Sequence, residues 1–329
     1  MNRIVFAVVV SSTLVACSSA TGDLEGARDS APSNEEGGGA DGGAAVVTDA
    51  GRAEDTSAPE APVAIVDSAT APETAPAEDS DARPPLDAGA EVLDSKSEGP
   101  VGQDPKLYER TFTEEFDHGY DPSVWNDHVW YLAPNPTKNY AVESGVLKIW
   151  PQKDASGKFF DRVIDTDGHY YQTHGFFEMS AKLCRGKGTW PAFWLYNHDD
   201  ATLRPEIDIM EAYPGGDPWG ADGPGGVRLP VMYGATIWIG DGARGGFKMI
   251  PTPDLSAAFH VYGLKWEGGK QTFYFDGKEV YSATVSMGGR MYILLDILFG
   301  SASGTPDDST PTGKANSYEI DYVRAWRLK

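Results

Sequence analysis

The feature that most constrains the fold is a periodicity that is missing. Nowhere in residues 106–329 do apolar side chains recur at the 3.6-residue spacing of an amphipathic helix. Short runs rich in β-branched and aromatic residues alternate instead with Gly, Pro, Asn and Asp. Val146-Leu147-Lys148-Ile149-Trp150 and Gly175-Phe176-Phe177-Glu178-Met179 are two such runs. Gln271-Thr272-Phe273-Tyr274-Phe275, then Asp276-Gly277, then Lys278-Glu279-Val280-Tyr281 reads as strand, two-residue turn and strand. Many short strands with turn signals predict an all-β domain, a sandwich or jelly roll of antiparallel sheets. His174 to Cys184 and Thr189 to Tyr196, joined through Arg185-Gly186-Lys187-Gly188, read as a long hairpin-like pair.

The remainder of the chain is of another kind. Residues 1–17 read as a secretory leader: Arg3, an apolar run from Ile4 to Val10, then Leu14-Val15-Ala16-Cys17. Residues 18–105 lack Phe, Trp and Tyr and carry 20 acids against 4 bases, −16 of the chain's −22. Such a segment buries too little apolar surface to offset its ordering entropy, and self-repulsion extends it, so it reads as a disordered tether. That leaves −7 on residues 106–329, an ordinary charge with no basic patch for nucleic acid. Cys184 reads as a buried small residue.

Pro205-Glu206-Ile207-Asp208-Ile209-Met210-Glu211 places three carboxylates within six residues. In a strand Glu206 and Asp208 share one face, with Ile207 and Ile209 behind. Strict alternation turns Glu211 inward, and one extra residue near Ile209-Met210, a β-bulge, brings it back to the acidic face. Crowding raises at least one carboxyl pKa, which gives the protonated and ionised pair that glycoside hydrolysis needs. The same residues also suit an exposed acidic strand or part of a calcium site.

Five motifs in order resemble a family 16 glycoside hydrolase. They are Phe112 to Asp117, Gly188 to Leu195, Glu206 to Glu211, Phe259 to Trp266 with Tyr274 to Gly277, and Ile320 to Arg324. The resemblance implies a concanavalin-like jelly roll with a concave sugar cleft. It implies Glu206 as nucleophile, Glu211 as acid/base and Asp208 as the assisting acid of a retaining endo-β-glycanase. Its bulged spacing resembles the laminarinase-, agarase- and carrageenase-like branches. β-1,3- or β-1,3-1,4-glucan is the expected substrate; a non-catalytic glucan-binding lipoprotein or a transglycosylase on the same scaffold is the alternative. Trp190, Trp194, Asn139, Tyr233 and His260 match substrate-binding positions, and Trp219, Trp238 and Trp130 are further aromatic candidates. Glu115, the carbonyl of Gly145 and Asp321 match a structural Ca²⁺ site; no cofactor is expected for catalysis. Leu14 to Cys17 resembles a lipobox, which implies cleavage before Cys17 and anchoring through its lipidated sulfur in the cell envelope, at the outer membrane or cell surface; an ordinary signal peptide with an incidental Cys is the other reading, and the protein is expected to be a monomer.

The chain departs from the pattern around the substrate. No His lies between His198 and His260, Ser180 stands for Arg and Asp296 for Asn, and a Gly- and Pro-rich insert, Pro214 to Pro230, is expected to form a cleft wall.

Overall fold

The computed structural model describes residues 98–199, 204–240 and 243–329. The leader, Cys17 and the tether as far as residue 97 lie outside the described residues. Among the described residues sixteen strands follow in chain order: β1 Tyr108–Glu114, β2 Tyr140–Glu143, β3 Val146–Ile149, β4 Arg162–Asp165, β5 Gly175–Lys182, β6 Thr189–Tyr196, β7 Glu206–Glu211, β8 Gly220–Asp222, β9 Arg228–Pro230, β10 Met232–Gly240, β11 Ala243–Pro251, β12 His260–Glu267, β13 Lys270–Phe275, β14 Lys278–Ala283, β15 Tyr292–Phe299 and β16 Tyr318–Leu328.

Two antiparallel sheets form the sandwich. One runs β14-β13-β12-β5-β16-β3-β2, with β1 also on β16; the other runs β11-β10-β7-β6-β15-β4. Between them lies one core, with Phe177, Met179, Ala181, Leu264 and Val323 from the first sheet. Phe193, Leu195, Ile207, Ile209, Ala235, Ile237, Ile293, Leu295 and Ile297 come from the second. Each large side chain so buried contributes roughly 1.5–3 kcal/mol. The all-β jelly-roll class is the observed one.

The Asp276-Gly277 turn joins β13 to β14 with Phe275 opposite Lys278, both turn residues having positive φ as a tight primed turn requires. The expected hairpin of His174–Cys184 with Thr189–Tyr196 does not form. β5 pairs with β12 and β16, and β6 pairs with β7 and β15, in the other sheet. The chain crosses the sandwich at residues 183–188, where Leu183 and Cys184 are buried. Both arms are apolar enough to sit centrally in different sheets, and adjacency in sequence does not tell the two cases apart.

The tether also ends earlier than residue 105. Glu98 accepts a hydrogen bond on its carbonyl from Trp326 Nε1 at 3.3 Å, and the Val101 N–H donates to Glu178 Oε2 at 2.8 Å. Pro105–Leu107 forms a short 3₁₀ turn capped by the Asp104 carboxylate. Residues 98–105 therefore pack on the domain.

Candidate active site

The second sheet has one face in the core and one open to a cleft. Trp190, Ala192, Trp194, Glu206, Asp208, Glu211, Asp296 and Leu298 line about 200 Å³ of it. The register of β7 explains how three acids reach this face. On β6, Phe193 and Trp194 are consecutive, yet their partners are Met210 and Asp208. On β10, Gly234 pairs with Glu211 and Thr236 with Asp208, so Ala235 alone spans both Ile209 and Met210. β7 therefore carries one residue more than either neighbour, at Ile209-Met210, where the alternation requires it. Ile207, Ile209 and Met210 are all in the core.

Indole N–H groups hold the acids. Trp190 Nε1 donates to Glu211 Oε1 at 3.1 Å, and the Tyr213 hydroxyl donates to the same oxygen at 3.0 Å. Trp238 Nε1 donates to Asp208 Oδ2 at 2.9 Å, and Trp194 Nε1 to Asp296 Oδ2 at 2.6 Å. Asp208 hydrogen-bonds Glu206 and also reaches Glu211. Burial raises all three acids of β7. Glu206 is pushed up to about 7 by desolvation and then by the charge of Glu211, against the hydrogen bond from Asp208. Asp208 is raised well above the ordinary range by desolvation and then by both glutamates, which favours its protonated form beside Glu206. Glu211 is raised by desolvation, against Tyr213, Asp208, Trp190 and the nearby Arg244.

Of the expected sugar contacts, Trp190 and Trp194 line the cleft. Trp238 joins them through Asp208, and Arg244 stacks over its ring at 4.9 Å. Three others are corrected. Tyr233 is 1% exposed and packs edge-on against Tyr262. It alternates with Gly234, Thr236 and Trp238, whose partners are the three acids, so it faces the core. Asn139 is also 1% exposed; its amide donates to the Trp150 carbonyl and accepts from buried Arg162 Nε at 2.7 Å, which pins the loop before β2. His260 lies on β12 in the other sheet, against Asp276 and Phe275. Trp130 is exposed beside His198 and Tyr131. Trp219 packs edge-on against Tyr213 at 4.9 Å. It comes from the Pro214–Pro230 insert, where β8 pairs with β9 and Arg228 donates to Pro214, Gly216 and Gly220 carbonyls. Tyr213 and Tyr131 are the residues that sequence reasoning missed. Tyr213 lies beyond the end of β7, where alternation no longer applies. Tyr131 sits near Asp296 and Glu206 and is 58% exposed at the mouth of the cleft.

The positions matched to calcium fit a hard cation only in part. The Glu115 carboxylate is held by Arg324 through two bonds of 2.7 Å, so its side chain is not available as a ligand. Its main-chain carbonyl, however, lies 4.0 Å from where a Gly145 Cβ would be, and Asp117 Oδ1 lies 3.2 Å from that point. Burial raises Asp321, and the charges of Glu115 and Asp117 add to it. Carbonyl and carboxyl oxygens suit Ca²⁺. Among the described residues no three His, Cys, Asp or Glu side chains converge on a metal position.

A carboxyl whose folded pKa lies above its unfolded value stabilises the fold at low pH, and that contribution is lost as pH rises through the folded value. For Glu206 the loss runs from 4.5 to about 7, and buried Glu178 titrates over the same window. The thermal midpoint should therefore fall between about pH 5 and about pH 8. Glu206→Gln should lessen that fall and raise the midpoint at about pH 8 by roughly 2–6 °C, as read by calorimetry. An unchanged slope with a lower midpoint would contradict the electrostatic account.

Residues 134–324 match the family model described as Glycosyl hydrolases family 16. The chain is 29% identical to the endo-1,3-1,4-beta-glycanase EglC of Rhizobium meliloti (strain 1021), over 64% of this chain and 48% of that protein. It is also 29% identical to ExsH, an endo-1,3-1,4-beta-glycanase of the same organism, over 60% of this chain and 43% of that one. It thus spans about half the length of these relatives or less. The fold is similar to the laminarinase catalytic domain of Thermotoga maritima MSB8, with TM-score 0.55 and 23% identity over 68% of this chain and 99% of that domain. It is also similar to the endo-beta-1,3-glucanase of Pyrococcus furiosus, with TM-score 0.56 and 23% identity over 70% of this chain and 98% of that one. With its bulged acidic strand on the open face of a jelly roll, the chain belongs to glycosyl hydrolases family 16.

Proposed function

We propose that this protein is a retaining endo-β-glycanase acting on β-1,3- or β-1,3-1,4-glucan. The observation that carries the proposal is the bulge at Ile209-Met210, which brings Glu206, Asp208 and Glu211 to one cleft face. Glu206 attacks the anomeric carbon while Glu211 gives its proton to the leaving oxygen. Water then releases the sugar, and Glu211 takes the proton back. Asp208 holds one proton and donates it to Glu206. That stabilises the nucleophile as a carboxylate in a pocket that otherwise favours the acid. Burial keeps Glu211 protonated toward higher pH, as a general acid requires, and the indole and phenol donors on its Oε1 fix its orientation. Trp190 and Trp194 present flat apolar faces to sugar rings. The names of the two Rhizobium relatives, both endo-1,3-1,4-beta-glycanases, support the choice of linkage.

Two accessory features belong to the same proposal. The Glu115 and Gly145 carbonyls and the Asp321 carboxylate would hold a calcium ion, whose charge would offset the repulsion of Asp321 by Glu115 and Asp117. A chelator should then lower the thermal midpoint of the wild type and leave that of Asp321→Asn unmoved; equal shifts would contradict it. The Leu14-Val15-Ala16-Cys17 sequence supports lipid attachment, which would tether the protein to the cell envelope. Cys17→Ser should move it from the membrane to the soluble fraction.

On laminarin and mixed-linkage β-glucan, the wild type should release reducing ends with a rapid fall in viscosity. Glu206→Gln should lose about 10³-fold or more of kcat. Proton NMR of the first products should show the anomeric configuration of the substrate. Inverted products, or binding without cleavage by the wild type, would contradict the assignment.

A further inference from the structure

The floor of the cleft holds a fourth carboxyl that the displacement does not use. Asp296 lies in the middle of β15, opposite Ala192 on β6 and Val163 on β4, and its exposure is 0%. It lines the cleft together with Glu206, Asp208 and Glu211. Its two oxygens differ. Oδ2 accepts the Trp194 indole N–H at 2.6 Å, whereas Oδ1 is buried and has no hydrogen-bond partner among the described residues. A fully buried carboxyl oxygen without a partner is costly, and in a native site it marks a place where something else supplies the bond.

We propose that Asp296 binds substrate: its unpaired Oδ1 hydrogen-bonds a hydroxyl of the sugar unit seated against Trp194, and so selects polysaccharides that carry that hydroxyl. The proposal rests on the cleft being a polysaccharide site and adds to it a contact that ranks substrates. The bond is one in which the protein donates. The groups facing Asp296 are Glu206 and Glu211 from β7, Asp161 from before β4, Tyr131 from the loop before β2, and Tyr318 from β16 across the core. None of these is a cation. Desolvation, with the three acids adding to it, raises Asp296 well above the ordinary carboxyl range and so favours its neutral form. A neutral carboxyl whose Oδ2 already accepts from an indole carries its proton on Oδ1. That O–H has no acceptor in the protein, and a sugar hydroxyl supplies one. A site that satisfies a buried donor through one substrate hydroxyl discriminates strongly against the sugar that lacks it.

Two variants test this. Asp296→Leu keeps the shape and removes both oxygens. It should lower kcat/KM on laminarin by about 10–100-fold, mostly through KM. Asp296→Asn accepts from Trp194 through its amide oxygen and donates to the sugar through its N–H, so it should keep most of the activity. The two also differ in pH dependence. The wild-type KM should rise at alkaline pH as Asp296 loses its proton, and the Asn variant should show no such rise. An infrared difference spectrum of wild type minus Asp296→Asn, without substrate, should show a protonated carboxyl band at neutral pH. A carboxylate band there, an Asn variant as damaged as the Leu variant, or a Leu variant with the wild-type KM would each overturn the proposal. Its failure is separable from failure of the glycanase. Retardation in laminarin-containing gels that is lost in Asp296→Leu, with no cleavage by the wild type, would overturn only the hydrolase. Cleavage unaffected by Asp296→Leu would overturn only the contact.

Discussion

A strand paired on both edges has two faces and no third, so acids at positions 206, 208 and 211 meet only where the strand holds one residue more than its neighbours. β7 holds that residue at Ile209-Met210 against both β6 and β10. Most of the site depends on this one excess residue. It leaves Ile207, Ile209 and Met210 in the core, so the sheet stays anchored, and it sets Glu211 among Trp190 and Tyr213 rather than among aliphatic side chains. Register is strongly specified where one face is buried, because a one-residue slip would bury the acids and expose the isoleucines.

The second constraint is electrostatic. Four carboxyls line one cleft, and burial raises every one of them. The fold manages them in two ways. Indole donors on β6 and β10 bond Glu211, Asp296 and Asp208, which supplies polarity without adding cations. Shared protons do the rest, with Asp208 neutral beside Glu206. Strain of this kind is characteristic of functional sites, which trade stability for pKa values matched to proton transfer.

Much of this was legible in the sequence. The all-β class follows from short β-rich runs and turn residues, and the bulge follows from the spacing of three acids around three apolar residues. What was not legible depends on which strands lie side by side. β5 and β6 look like a hairpin because they are adjacent and apolar, yet they occupy different sheets. Trp194 and Asp296 are 102 residues apart, and only the β6–β15 register joins them. Tyr233 could have been placed by parity alone. It is five residues from Trp238, so a regular strand cannot present both to the cleft, and Trp238 is the one that reaches Asp208. Asn139 is polar and matches a sugar-contacting position of the family, but buried Arg162 claims its oxygen, a demand that no local pattern reveals.

The central claim is that β7 presents Glu206 as a nucleophile with Glu211 as its proton donor. Trapping tests it most directly. The wild type is incubated with a 2-deoxy-2-fluoro glycoside of a β-1,3-linked disaccharide bearing a good leaving group, then digested and sequenced by mass spectrometry. The account predicts a glycosyl ester on Glu206, and faster trapping than release. A label on Glu211 or Asp208, or steady turnover to inverted product with no label, would contradict it.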